Sequence, residues 1–308
     1  MNPFIAETLA RALQCLRLLA AVLIACSTAA IFASPAIAQH AYTTPEAAAD
    51  TFMDALKRND VDAMKIVLGA SWRQFIPTQD REDIDAFIAA WDQSHHIEAV
   101  SPGFTMIAVG EQHWTLPVPI VRRTAGWQFD ARAGGEEMRT RRIGRNELAA
   151  MQAALAYFDA QKEYASVDRT GAGVLHYAQQ FWSSPGKRDG LYWPAESDDE
   201  ESPLGPLFVG RKPGEGYNGY GFKILTAQGQ DAPGGAYSYI INGNMVSGFA
   251  VVAWPLKYGD SGIMSFMISH DGQLYEQDLG ENSAKIAQGM TTFNPDASWR
   301  KASPPVQR

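Results

Sequence analysis

The segment Pro185-Gly186-Lys187-Arg188-Asp189-Gly190-Leu191-Tyr192-Trp193-Pro194 sets two cations, a carboxylate, a phenol and an indole between glycine and proline breaks. Loops that carry such groups on a scaffold are natural recognition surfaces. Lys187, Arg188, Asp189, Tyr192 and Trp193 are therefore the candidate binding residues. A structural reading stands beside this one: Tyr192 and Trp193 plug the core while Lys187, Arg188 and Asp189 pair at its rim. A catalytic reading pairs Asp189 with Glu196 beside the two aromatics. That suits a glycan hydrolase if the carboxyl groups stand roughly 5–9.5 Å apart.

Other chemistry-bearing groups are sparser. Gly259-Asp260-Ser261-Gly262 matches the nucleophile tetrapeptide of chymotrypsin-like proteases, but none of the six His sits in a matching context. A polar turn before a strand explains it equally. Asp168-Arg169-Thr170-Gly171-Ala172-Gly173 keeps only the first and sixth residues of a calcium loop. Asp168 is thus the one metal candidate, set against a plain turn, and no other metal site is expected. His95 and His96 are adjacent, so they diverge on any regular element, and the reading places them at the exposed end of a helix. His113 and His176 stand alone beside aromatics. Glu196, Asp198, Asp199, Glu200 and Glu201 read as a solvated loop. Arg139, Arg141, Arg142 and Arg145 could pair with that loop or touch an anionic envelope surface. No G-x-x-x-x-G-K-[ST], G-x-G-x-x-G or H-E-x-x-H occurs, so no cofactor is expected.

The elements that must position these groups fall into two parts. Thr44-Pro45-Glu46 predicts a capped helix start, with Ala48, Phe52 and Leu56 on one face. Asp60 caps a second helix that stops at Gly69, and Ile84, Phe87, Ile88 and Trp91 mark a third. Extended segments follow at 104–109, 114–121 and 126–130, the middle one confined to an edge or bulge by Pro117 and Pro119. A long helix is expected over 146–166, with Leu148, Met151, Leu155 and Phe158 as its apolar stripe. Residues 183–220 lack periodicity. Strands are then expected at 220–225, 236–241, 245–253, 262–269 and 273–279, with Asn242-Gly243 and Asp271-Gly272 as hairpin signals. The fold class is α+β: helices on a curved antiparallel sheet, then a long helix and an antiparallel meander. The boundaries are 1–38, 39–138 and 139–308.

The chain has 308 residues with 26 Lys+Arg, 34 Asp+Glu and a net charge of −8. That charge argues against nucleic-acid binding through a basic field. Residues 1–38 have the form of a secretory leader. Arg11 and Arg17 precede the apolar run Leu18–Ala25, and Ala36-Ile37-Ala38 is a small-x-small cleavage site before Gln39. The run from Leu18 to Ala38 is 21 residues, but Pro35 and its small residues weaken it as an anchor, so no stable membrane span is expected after cleavage. Leu23-Ile24-Ala25-Cys26 resembles a lipobox, which leaves lipidation at Cys26 as the alternative. Cleavage after Ala38 removes Cys15 and Cys26, so a mature chain of 270 residues contains no cysteine. Thiol nucleophiles and cysteine-held metals are then excluded.

The order of elements over 43–132, with Gly126-Trp127-Gln128-Phe129, resembles the nuclear-transport-factor-two-like cone fold. A long helix leaving through Ala160-Gln161-Lys162-Glu163-Tyr164, a glycine-rich crossing and the strands at Gly219-Tyr220-Gly221-Phe222 and Gly262–Ile268 resemble pilin-like globular domains. The apolar helix half that drives filament assembly is missing. Taken whole, the chain resembles an uncharacterised bacterial family of exported proteins, domain of unknown function 2950. The residues that carry this are Thr44-Pro45-Glu46-Ala47-Ala48, Trp127-x-Phe129-Asp130, Arg142-Ile143-Gly144-Arg145-Asn146-Glu147-Leu148, the Pro185–Pro194 segment and Ser202-Pro203-Leu204-Gly205-Pro206. That resemblance implies export and transfers no catalytic residue. The expectation is an exported, periplasmic or secreted, non-catalytic binding or assembly module whose partner is an envelope protein or glycan. The alternatives are the Asp189/Glu196 hydrolase and a carrier of a small apolar ligand between Phe75, Trp91, Phe104 and Trp114.

Overall fold

The structure, a computed structural model, describes residues 39–194, 201–205, 212 and 215–302. Two compact units divide between Gly134 and Gly135.

In the first unit, helix α1 (Pro45–Lys57) starts where Thr44 accepts a hydrogen bond from the Ala47 N–H, with proline in its first turn. It buries Ala48, Ala49, Phe52, Met53 and Ala55. Helix α2 (Val61–Leu68) is capped by Asp60, which accepts from the Ala63 N–H. Helix α3 is Arg81–Gln93. They lie against an antiparallel sheet of β1 (His95–Ser101), β2 (Phe104–Val109), β4 (Ile120–Arg123) and β5 (Gly126–Phe129), in the order β1-β2-β4-β5. The short strand β3 (Trp114–Thr115) pairs with β2. Phe52 meets Phe129 at 5.2 Å between ring centres, joining α1 to the sheet.

Two expectations are corrected here. The segment 114–121 is two strand pieces, β3 and β4, because Pro117 and Pro119 offer no N–H to a ladder. Strand β1 was not foreseen: it is an exposed sheet edge with only Ile97 partly buried, so it carries no apolar alternation. His95 and His96 accordingly open a strand, past the end of α3 at Gln93.

Helix α4 runs over Ala131–Tyr164, starting fifteen residues before the expected Asn146. Its first turn is capped by Asp130, which accepts from the Ala133 N–H at 3.0 Å. Gly134, Gly135 and five arginines disguise this half, but Glu136–Arg139 and Glu137–Arg141 pairs one turn apart support it. The buried stripe also differs from the expected one. Ala150, Ala154, Tyr157, Ala160 and Tyr164 enter the core, while Leu148 is 46% exposed. Small residues let the helix approach its neighbours closely, and Met151, Leu155 and Phe158 cover the rim.

The second unit's main sheet joins β6 (Tyr220–Leu225), β11 (Ala250–Pro255), β12 (Ser265–Ser269), β13 (Leu274–Gln277) and β15 (Arg300–Lys301), in the order β15-β13-β12-β11-β6, all antiparallel. The expected strand 245–253 is divided. Its start is β10 (Asn244–Met245), which pairs with β9 (Ile240–Ile241) across an Asn242-Gly243 turn with φ of 51° and 84°. Its end belongs to β11. A further small sheet holds β7 (Ala227–Gln228), β8 (Tyr237–Ser238) and β14 (Thr292–Phe293), and its β14–β7 pairing is parallel, unlike a pure meander. Helix α5 is Ser283–Gly289.

Candidate functional site

The segment after α4 is held by one buried amide. Gln161 is 0% exposed. Its Nε2 donates to the Tyr157 hydroxyl and the Ala178 carbonyl, and its Oε1 accepts from the Ala178 N–H, all within 2.9 Å. In the sequence, Gln161 is marked only as part of a helix exit. The sole available signal was a polar residue on the Ala150–Ala154–Tyr157–Tyr164 face.

Beyond it, residues 180–183 and 190–192 run side by side through backbone bonds between Leu191 and Gln180, Tyr192 and Phe181, and Ser183 and Tyr192. The loop 184–189 closes this pair. Asp189 fixes it: its carboxylate accepts from the Ser184 N–H at 2.7 Å, the Ser184 hydroxyl at 2.9 Å and the Gln180 amide at 2.8 Å. Burial opposes the charge, yet the donors from Ser184 and Gln180 prevail and hold this carboxyl below the usual range. A side chain at Gly190 would bring a Cβ within 2.7 Å of the Ser183 nitrogen, so the close approach requires glycine.

Trp193 is only 5% exposed and belongs to the core. The Arg188 guanidinium lies 5.5 Å above its ring and that of Arg169 lies 6.0 Å from it. The Tyr164 hydroxyl donates to the Arg188 carbonyl at 2.8 Å. Burial first, then the Asp189 charge, push the Tyr164 phenol up to about 12. Lys187 is exposed at the turn, while Arg188 and Tyr192 are half-buried. The structure thus joins the five candidate residues in one loop with unequal parts: Asp189 and Trp193 anchor it, and Lys187 reaches solvent. Glu196 and its acidic neighbours at 198–200 lie outside the described residues.

Asp168 is a turn-former. It accepts from the N–H groups of Thr170, Gly171, Ala172 and Gly173. The Gly173 N–H foremost keeps its carboxyl below the ordinary value. Thr170 links this turn to His176 at 2.8 Å, and His176 Nδ1 bonds the Tyr177 carbonyl. The Tyr177 carbonyl can only accept, so Nδ1 donates in that bond. Among the described residues, no three His, Cys, Asp or Glu side chains form a metal-holding group.

The Gly259–Gly262 turn is held by α4. Arg142 pairs with Asp260, Asn146 donates to the Ser261 carbonyl at 2.8 Å, and Glu147 accepts from the Ile263 and Met264 N–H groups at 2.9 and 3.0 Å. The Ser261 hydroxyl accepts from the Lys257 N–H and donates to the Lys257 carbonyl, so it closes its own turn. Arg139, Arg141 and Arg142 have carboxylate partners in Glu136, Glu137 and Asp260. Three of the four arginines of the basic stretch are thus engaged within the chain.

The four aromatics of the apolar-carrier reading do not converge. Phe104 and Trp114 mark opposite ends of β2, at the Val121 and Val109 pairings. Five strand residues separate those ends by about 17 Å. Trp91 is stacked on His95 at 3.7 Å, and Trp114 is 49% exposed.

Helices with mainly antiparallel sheets in both units make this a mixed α+β protein. The chain belongs to the family described as protein of unknown function (DUF2950), whose profile matches residues 39–302. No curated protein and no solved structure matches it.

Proposed function

We propose that residues 1–38 are a leader cut after Ala38, and that the mature chain is a periplasmic or secreted, non-catalytic binding or assembly module. Its contact is the 184–193 loop, with Lys187, Arg188 and Tyr192 meeting an anionic group on an envelope protein or glycan. Asp189 and Trp193 act as positioning residues. The observation that carries this reading is the anchoring of that loop from within by Asp189, while Lys187 stays exposed at the turn. A pre-ordered turn loses less freedom on binding than a loose one, so its cations bind more tightly.

Export draws support from two observations. The family match begins at Gln39, the residue after the small-x-small site. Gln39 is itself built into the first unit, its amide donating to the carbonyls of Val67 at 2.9 Å and Phe129 at 2.7 Å.

The test is recovery of partners from envelope extract with wild type and with Lys187→Ala/Arg188→Ala. A species retained by wild type and lost by the variant is expected; equal recovery rejects the loop. The intact mass of the exported chain checks the leader. A start at Gln39 is expected, and a lipidated Cys26 overturns the proposed cut.

A further inference from the structure

The first unit brings together two imidazoles that are seventeen residues apart in the chain. His96 stands on the edge strand β1, opposite Ala108 of β2. His113 closes the turn between β2 and β3, one residue before the Trp114–Val109 pairing. Their ring centres are 5.2 Å apart with the planes at 73°. Both residues are exposed. His113 holds a φ of 52°, the left-handed conformation in which asparagine, aspartate and histidine are enriched among non-glycine residues.

The separation is chemically telling. Two imidazoles on one tetrahedral ion, with metal–nitrogen bonds of about 2.0–2.1 Å, place their ring centres about 5 Å apart. The observed spacing already meets that requirement. The rings meet edge to face, as ordinary aromatic pairs do, and one ion between them requires both exposed side chains to rotate until a nitrogen of each faces a common point. Glu98 shares the β1 face of His96 two residues along, and Glu111 lies in the His113 turn. Neither is counted as a ligand, since no three such side chains among the described residues group for a metal. His95 is excluded from the set: it projects to the other face of the strand, stacks on Trp91 and bonds the Trp91 carbonyl through Nδ1 at 2.9 Å.

We propose that His96 and His113 form a two-imidazole site for a borderline divalent transition metal, with water completing the coordination. Imidazole donors without thiolates favour Cu(II), Ni(II) and Zn(II) over Mg(II) and Ca(II). The site is independent of the 184–193 loop, so it stands whether or not that loop binds a partner.

The test is calorimetric titration of the mature chain with Cu(II) alone, and with Zn(II) alone, alongside electron paramagnetic resonance of the Cu(II)-loaded protein. Wild type takes up one ion with two nitrogens in its coordination sphere. Loss even of a partner behind a metal ligand weakens binding about 10–100-fold, so His96→Ala and His113→Asn each lower affinity at least about tenfold. Asparagine suits the left-handed backbone, and unchanged circular dichroism confirms that the variants fold. His95→Ala binds as wild type does. The proposal is overturned if wild type takes up no ion, if the His96 and His113 variants bind like wild type (adventitious ions only), or if His95→Ala loses as much affinity as they do.

Discussion

At the scale of single residues, polar side chains set the local architecture after α4. Gln161 meets both backbone groups of Ala178 from a fully buried position. Gln161→Leu leaves that N–H and carbonyl unpaired, at about 1–3 kcal/mol for each. Urea denaturation should therefore show a loss of about 2–6 kcal/mol, a large share of a domain's stability. Asp189 offers a pH-dependent case. Its folded carboxyl titrates below the ordinary value because Ser184 and Gln180 donate to the charged form. The stabilisation is present above the unfolded value, about 3.9, and is lost as pH falls through the lowered folded value. Thermal melts between about pH 5 and pH 2 should show Asp189→Asn with a shallower acid loss than wild type. An identical slope would mean that the Asp189 anchor contributes nothing.

At the scale of elements, α4 acts as a scaffold in the second unit by placing Arg142, Asn146 and Glu147 on the 259–264 segment. Glu147→Ala should cost about 1–3 kcal/mol, since two N–H groups lose a charged acceptor. Gly262→Ala should destabilise by about 1–3 kcal/mol or more, because its Cβ would overlap the Tyr220 hydroxyl, which donates to the Met264 carbonyl. Both are read from urea midpoints. Local signals made many elements legible. Thr44-Pro45, Asp60, Asn242-Gly243 and Asp271-Gly272 each encode a cap or turn within a few residues. The early half of α4 was not legible, because Gly134, Gly135 and clustered arginines carry no apolar period; one-turn ion pairs support it. Strand β1 was hidden because a polar sheet edge does not alternate, and the parallel β14–β7 pair because its residues lie sixty-five apart. The loop at 184–193 was visible as chemistry. Its division into the anchors Asp189 and Trp193, a half-buried Arg188 and an exposed Lys187 required the partners of Asp189 and Trp193.

At the scale of the whole molecule, the family match over 39–302 begins directly after the small-x-small triplet Ala36-Ile37-Ala38, and residues 39–308 contain no cysteine. The polar groups that sequence motifs offered to catalysis, Ser261 and Asp189, are engaged in turn-building hydrogen bonds. This combination motivates the reading of an exported binding module. Native mass spectrometry of the protein purified from its own envelope tests it most directly. The account predicts a chain beginning at Gln39 that carries a bound envelope component, with that component missing from Lys187→Ala/Arg188→Ala of unchanged fold. A chain retaining residues 1–38, or the same bound species on wild type and variant alike, would contradict it.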